Sequence, residues 1–323
     1  MRIALAAALL MGACGAPASR MNVDRPLHTY SIVARDAKTG ELGVAVQSHW
    51  FSVGPIVPWA EAGVGAVATQ SFVDPSYGPK GLELMRKGAA AADALAQLVK
   101  ADAGEAVRQV AMVDAKGRVA VHTGAKCIES CGHRTGDGWS VQANMMLNDK
   151  VVPAMAKAAE EAKGDLAERL VAALEAAQAA GGDIRGRQSA ALLVVQGAAS
   201  GKSWEDTVVT LRVEDHAEPL VELRRLLTVH RAYKHMNAGD LALEKGDLKG
   251  ALEEYGAASK LAPDNVEVVY WAAVTLATNG KLDEARPMFK RVFEKDPNWR
   301  ELTRRLKKPG IIVDEKLIEE ILK

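Results

Sequence analysis

Thr29-Tyr30-Ser31-Ile32-Val33-Ala34-Arg35-Asp36, then Ala37-Lys38-Thr39-Gly40, then Leu42-Gly43-Val44-Ala45-Val46-Gln47-Ser48 decides the reading of most of this chain. Two runs rich in β-branched and apolar residues flank a polar turn that ends in glycine, which is a hairpin. Hairpins recur downstream. Gly63 to Gln70 reads as a strand whose glycines suggest close backbone approach or a bulge. Val107 to Val113 and Val119 to Thr123 form a second hairpin around Asp114-Ala115-Lys116-Gly117, and Trp139 to Met145, Ser189 to Gln196 and Thr207 to Val213 are further strands. Helical patterns occupy Tyr77 to about Ala101, the stretches near 149–161 and 165–179, and Glu218 to His230. Strand–helix alternation of the wound parallel kind is missing, and the order suits two stacked antiparallel sheets under helical layers.

The C-terminal part has a period. Gly246 and Gly280 stand 34 residues apart, as do Ala251 and Ala285, Tyr255 and Phe289, and Pro263 and Pro297. That spacing, with small residues where helices cross and Pro at the end, resembles the tetratricopeptide repeat. The first repeat runs from Ala232 to Asn265 and the second from Val266 to Asn298. Two repeats are too few to close a stack, so the preceding helix and the segment from Trp299 should complete it.

The N-terminus reads as a secretory signal. Arg2 precedes a short apolar run, and small residues follow. Met11-Gly12-Ala13-Cys14 resembles a bacterial lipobox, which makes Cys14 a lipidation site and the membrane a partner only through that anchor; the rival cleavage follows Ala16-Pro17-Ala18. The expected organisation is a signal at 1–18, a linker at 19–27, an α/β domain at 28–228 and helical repeats at 229–323, in a protein exported to the cell envelope or periplasm. Lys plus Arg and Asp plus Glu each number 41, and aromatics are 5%, so neither a basic footprint nor a base-stacking surface for nucleic acid is present. Cys127 and Cys131 are either unpaired thiols or a local disulfide; with His133 they reach three ligands, one short of a structural zinc site, so no metal or other cofactor is expected.

His28 to Asp36, Gly43 to Ser48, Gly65 to Gln70, Pro75 to Pro79, Gln142-Ala143-Asn144-Met145, Gly181 to Ala190 and Val213-Glu214-Asp215-His216 together resemble the domain-of-unknown-function-1028 family over about 28–228. That family is placed by similarity in the N-terminal-nucleophile (Ntn) hydrolase superfamily. The resemblance implies an α+β fold of the four-layer αββα type, here with an all-α tail. It implies amide-bond hydrolysis on an unknown small amide or peptide, with Thr29 as nucleophile and its own α-amine as base. Asn144 would support an oxyanion, though the family usually has Gly where Ala143 stands. Ser48, Asp183, Arg185 and Arg187 would bind substrate, the arginines gripping an anionic group. On the residues alone, Gly181 to Ser189 reads equally as a glycine-rich turn held by an Asp183–arginine pair, and Asp215 as a cap for the helix after it. One departure is plain: a free Thr29 amine requires a cut between His28 and Thr29, which neither signal cleavage provides. The other reading is a non-catalytic envelope protein that binds a ligand or a protein partner through the sandwich and the repeats.

Overall fold

The computed structural model describes residues 29–323, so Cys14 and the signal and linker segments lie outside the described residues. Ten strands form two antiparallel sheets. β1 (Thr29–Arg35), β2 (Leu42–Ser48), β7 (Gly132–Gly136), β8 (Trp139–Ala143), β9 (Ser189–Val195) and β10 (Thr207–Val213) form the larger, in the order β10-β9-β2-β1-β8-β7. β3 (Pro58–Glu61), β4 (Gly65–Ser71), β5 (Arg108–Asp114) and β6 (Val119–Thr123) form the smaller, in chain order.

The two sheets stack face to face. Val33, Val44 and Val46 of the larger sheet meet Ala66, Ala68, Ala111 and Val113 of the smaller. On the far side of the smaller sheet lie α1 (Tyr77–Arg86) and α2 (Ala91–Ala101), whose Leu82, Met85 and Leu95 bury Val67, Val110 and Met112. On the far side of the larger lie α3 (Val151–Glu161), α4 (Leu166–Ala179) and the first half of α5 (Pro219–Glu244), which cover Tyr30, Ile32, Val141 and Leu192. Glycine allows the close approach: a Cβ on Gly43 would stand 2.6 Å from Leu170 of α4, and one on Gly65 would stand 2.7 Å from the Val113 carbonyl.

The helical segment expected from Tyr77 to Ala101 is two helices. Gly88 sits between them at φ +99, a left-handed conformation that closes α1, its N–H donating to the Met85 carbonyl (2.9 Å). The helix expected to stop at His230 instead continues to Glu244. Its Leu220, Leu223 and Leu227 pack in the sandwich core, and its Ala232 and Met236 pack in the repeats. α6 (Leu248–Leu261), α7 (Val266–Thr278) and α8 (Leu282–Lys295) follow, with α9 (Asn298–Arg305) and α10 (Glu315–Leu322) closing the stack through Leu306, Ile312, Ile318 and Ile321. The 34-residue period is visible in the backbone: Gly246 and Gly280 hold the same turn at φ +76 and +77, while Ala251 and Ala285 are both wholly buried at the helix crossings.

An ionic clamp fixes α5 to α4. Arg231 donates to Glu168 (2.8 Å) and to both oxygens of Asp165 (2.9 Å), and Arg224 bridges Glu168 and Glu175. Burial opposes the charged form of Glu168, but hydrogen bonds from Arg231 and Arg224 outweigh it and hold the carboxyl below its usual 4.5. A carboxylate lowered in the folded state adds stability above its unfolded pKa, and that stability is lost as pH falls through the lower folded value. Glu168→Gln should therefore cost about 1 kcal/mol at neutral pH, and urea unfolding should show the gap to wild type closing below about pH 4. A chain ending after Arg231 keeps Leu220, Leu223, Leu227 and the clamp. It should unfold in one cooperative thermal transition; a molten product would mean that the sandwich borrows its core from the repeats.

Candidate functional site

Strand alternation sends odd-numbered β1 residues between the sheets and even-numbered ones toward the helices. Tyr30, Ile32 and Ala34 join the helix-side core, while Val33 faces the other sheet. Thr29 and Ser31 share the face of Val33, so two hydroxyls enter the space between the sheets. Register adds more. Thr29 pairs with Ser48 of β2, and Ser48 with Ser189 of β9; Ser31 pairs with Gln142 of β8. Toward this end the interface changes from valine and alanine to amides and hydroxyls. Thr29, Ser31, Ser48, Gln70, Gln109, Gln142 and Asn144 all have no solvent exposure.

Buried polar groups without partners are costly, and here they satisfy one another. Ser31 donates to Gln70 Oε1 (2.6 Å) and accepts from Gln142 Nε2 (2.6 Å), and Ser140 donates to Gln142 Oε1 (2.9 Å). Gln70 Nε2 donates to Gln109 Oε1 (2.7 Å) and to the Thr29 carbonyl (3.2 Å). Asn144 Nδ2 donates to the same Gln109 oxygen at 2.9 Å and to the Thr29 carbonyl at 3.4 Å. Gln109 Nε2 reaches Thr123 Oγ1 (3.0 Å), which in turn meets His133 Nδ1 at 2.9 Å. Burial, followed by the charge of His122, pushes the His133 pKa down and favours the neutral ring. Thr29 Oγ1 itself donates to Ser48 Oγ at 3.1 Å. One hydroxyl at the head of β1, a second hydroxyl beside it and an amide donor on the neighbouring strand are thus assembled in a water-poor seam.

Gly181 to Ser189 lies beside this seam. Asp183, with a wholly buried side chain, accepts from the His49 backbone (3.3 Å), next to Ser48. The Arg185 guanidinium forks onto the same carboxylate at 2.7 and 3.1 Å, and Arg187 pairs with Glu218. The Asp183–Arg185 pair is the turn-stabilising arrangement that the residues also allowed. Arg187 lines a cleft of about 580 Å³ on the helix side of the larger sheet with Glu175, Gln178, Asp183 and Glu218. The Tyr30 hydroxyl donates to Gln178 (2.9 Å) at the back of that cleft, and burial, then the Asp183 charge, raise its pKa. The structure therefore brings Thr29, Ser48 and Asn144 together, sets Asp183 with its Arg185 partner beside Ser48 and at the edge of the helix-side cleft, and puts Arg187 in that cleft.

The expected Asp215 cap is corrected. α5 begins at Pro219, with Glu218 as its N-cap and no side-chain cap from Asp215, whose carboxylate accepts from Gln188 (3.2 Å), while His216 Nδ1 takes the Glu218 N–H at 2.9 Å. Cys127 and Cys131 are free thiols, Cys127 buried and Cys131 exposed. Among the described residues no group of three His, Cys, Asp or Glu could hold a metal ion, and no helix is long and apolar enough to cross a membrane. Of the joints of the seam, Gln109 and Ser140 lie in no motif, and Gln70 closes the Gly65–Gln70 stretch without a role of its own. The only signal in the sequence is a polar side chain at the in-facing position of an otherwise apolar strand.

A family model described as "Family of unknown function (DUF1028)" matches residues 29–223, and a tetratricopeptide repeat model matches residues 242–307. Among solved structures the chain is similar to the crystal structure of protein SPO2555 from Silicibacter pomeroyi, itself a DUF1028 protein. The two are 31% identical with a TM-score of 0.56, over 62% of this chain and 84% of that one. No curated protein matches.

The seam makes a stability prediction. Gln70→Leu removes the acceptor of Ser31 and a donor to Gln109 in a place water does not reach. It should cost about 1–3 kcal/mol in urea unfolding; a neutral result would show the seam rearranging around the loss.

Proposed function

We propose that this chain, which belongs to the DUF1028 family of unknown function, is an exported Ntn-type hydrolase that cleaves an amide with Thr29 as nucleophile. The observation that carries the reading is the position of Thr29: first residue of β1, its hydroxyl delivered into the buried seam between two stacked sheets and 3.1 Å from Ser48 Oγ. Two antiparallel sheets with helices on both outer sides fit the αββα layering of that superfamily.

The chemistry follows from elementary requirements. With His28 in place, the Thr29 nitrogen is an amide and has no useful basicity. After cleavage it is an amine with a pKa near ~8, on the same residue as the hydroxyl whose proton it must take. Thr29 Oγ1 would attack the substrate carbonyl carbon while its proton passes to the amine. Asn144 Nδ2, which donates to the Thr29 carbonyl and to Gln109, would exchange one of these bonds to donate to the negative oxygen. The amine would then protonate the departing nitrogen, and water would hydrolyse the Thr29 ester. Ser48 would hold Oγ1 in its rotamer, and the Asp183–Arg185 pair would stiffen the adjoining turn. Export, with Cys14 as lipid anchor, belongs to the same proposal; the cut before Thr29 would release the domain from that anchor.

A second reading has its own support. Arg185 and Arg187 are engaged by Asp183 and Glu218, and repeats of the tetratricopeptide type serve protein–protein contact in general, so a non-catalytic binding protein would leave the seam purely structural. The intact mass of the mature chain separates the two. The hydrolase reading expects a mass beginning at Thr29 and one equivalent of a β-lactone electrophile bound there. Thr29→Ala should abolish that labelling at a stability cost of about 1 kcal/mol. A mass beginning at Cys14 or Ser19, or full labelling of Thr29→Ala, would transfer the case to the binding protein.

A further inference from the structure

A second concavity is remote from Thr29. It lies between the second half of α5 and α7, with Gly310 and Ile311 of the segment after α9 at one side, and encloses about 840 Å³. Met236, Leu243, Trp271 and Val274 supply an apolar floor. Asp240 and Glu244 rise on one side from α5 and Glu267 on the other from α7. Among the described residues that line it there is no Lys or Arg, although the whole chain is balanced at 41 basic and 41 acidic residues. The charge asymmetry is therefore local to this groove.

The carboxylates are positioned rather than neutralised. Tyr233 donates to Glu267 Oε2 (2.6 Å) and Tyr255 donates to Asp240 Oδ1, so each of these two carboxylates has one oxygen engaged by a neutral hydroxyl and carries its full charge beside the groove. Glu244 has no ion pair among the described residues. Asp240 and Glu244 stand four apart on one helix, the spacing at which like charges repel. Elsewhere in the repeats, carboxylates of this kind have basic partners: Glu253 with Lys249, Glu294 with Lys290 and Glu301 with Arg304 and Arg305. Trp271 adds an aromatic face, and such faces attract ammonium and guanidinium groups.

We propose that this groove binds a peptide segment carrying Lys or Arg between apolar residues, its cations meeting Asp240, Glu244 and Glu267 and its apolar side chains resting on Met236, Trp271 and Val274. A groove of this size takes a short segment of a few residues, not a folded domain. The repeat end of the molecule is then a selector for basic peptide. This goes beyond the hydrolase reading and stands or falls without it.

The test uses the full chain and two pools of fluorescein-labelled heptapeptides, one built from Lys, Leu, Tyr and Ala and the other with Glu in place of Lys. Fluorescence anisotropy should give the Lys pool an affinity at least about tenfold above the Glu pool, falling about tenfold as salt is raised through the range in which surface charges are screened. The double variant Asp240→Asn, Glu244→Gln should weaken the Lys pool about tenfold or more with an unchanged thermal transition, whereas Glu253→Gln with Glu294→Gln, outside the groove, should leave it unchanged. If the double variant does not fold, the salt series and the comparison of pools on the wild-type chain decide. Equal affinity for the two pools, salt-independent binding, or no binding of the Lys pool would each overturn the proposal.

Discussion

Strand β1 has no side open to water, and the rest of the α/β part is arranged around that constraint. Its even residues are claimed by α3 and α4 and its odd residues by the opposite sheet. A shift of one residue against β2 or β8 would exchange Tyr30 and Ile32 with Thr29 and Ser31, putting hydroxyls under helices and an aromatic ring into the amide seam. Register is therefore fixed by two different chemistries at once. The helix-side face is apolar apart from the Tyr30 hydroxyl and its amide partners, and the seam on the other tolerates no unpaired polar group. The interface between the sheets is graded along its length in the same way, closed by valines at one end and by a hydrogen-bonded lattice of glutamines, serines and Asn144 at the other. A dry polar seam is what the second chemistry produces, whether the cell uses it for turnover or for shape alone.

Much of this could be read from residue order. The hairpins around Gly40 and Gly117 and the strands at Val119–Thr123 and Thr207–Val213 follow from alternation bounded by turn residues. The strands that escape detection are those without alternation. β3 is four residues long and opens on Pro58 at a sheet edge, and β7 is a mostly exposed Gly132–Gly136 edge that takes its place from pairing with β8. Helix ends depend on tertiary contacts that the local pattern does not contain. Nothing near His230 stops α5, because Ala232 and Met236 find a second core to enter.

For the site, the strand face of Thr29 and its closeness to Asn144 were legible, since both follow from period-two geometry and from motifs of the family. The engagement of the two arginines was not. Asp183, Arg185 and Arg187 are equally well spaced for a ligand and for each other, and only the fold reveals that Glu218, more than thirty residues on, returns beside Arg187. Gln70 and Gln109 were invisible as joints for a related reason. A glutamine owes its role to the partners its amide meets across a sheet interface, and these come from four different strands.

The uninterrupted α5 joins the two parts as a shaft joins two gears. Each residue advances a helix by about 1.5 Å and turns it by about 100°, and Leu227, the last buried apolar residue of α5 in the sandwich core, is only five positions before Ala232, the first in the core of the repeats. Inserting one residue in that interval would swing the whole tail through more than a quarter of a revolution. Descendants of this architecture should therefore change the heading of the tail in discrete angular steps, and length variation between the two contacts should be confined to increments near a full helical turn.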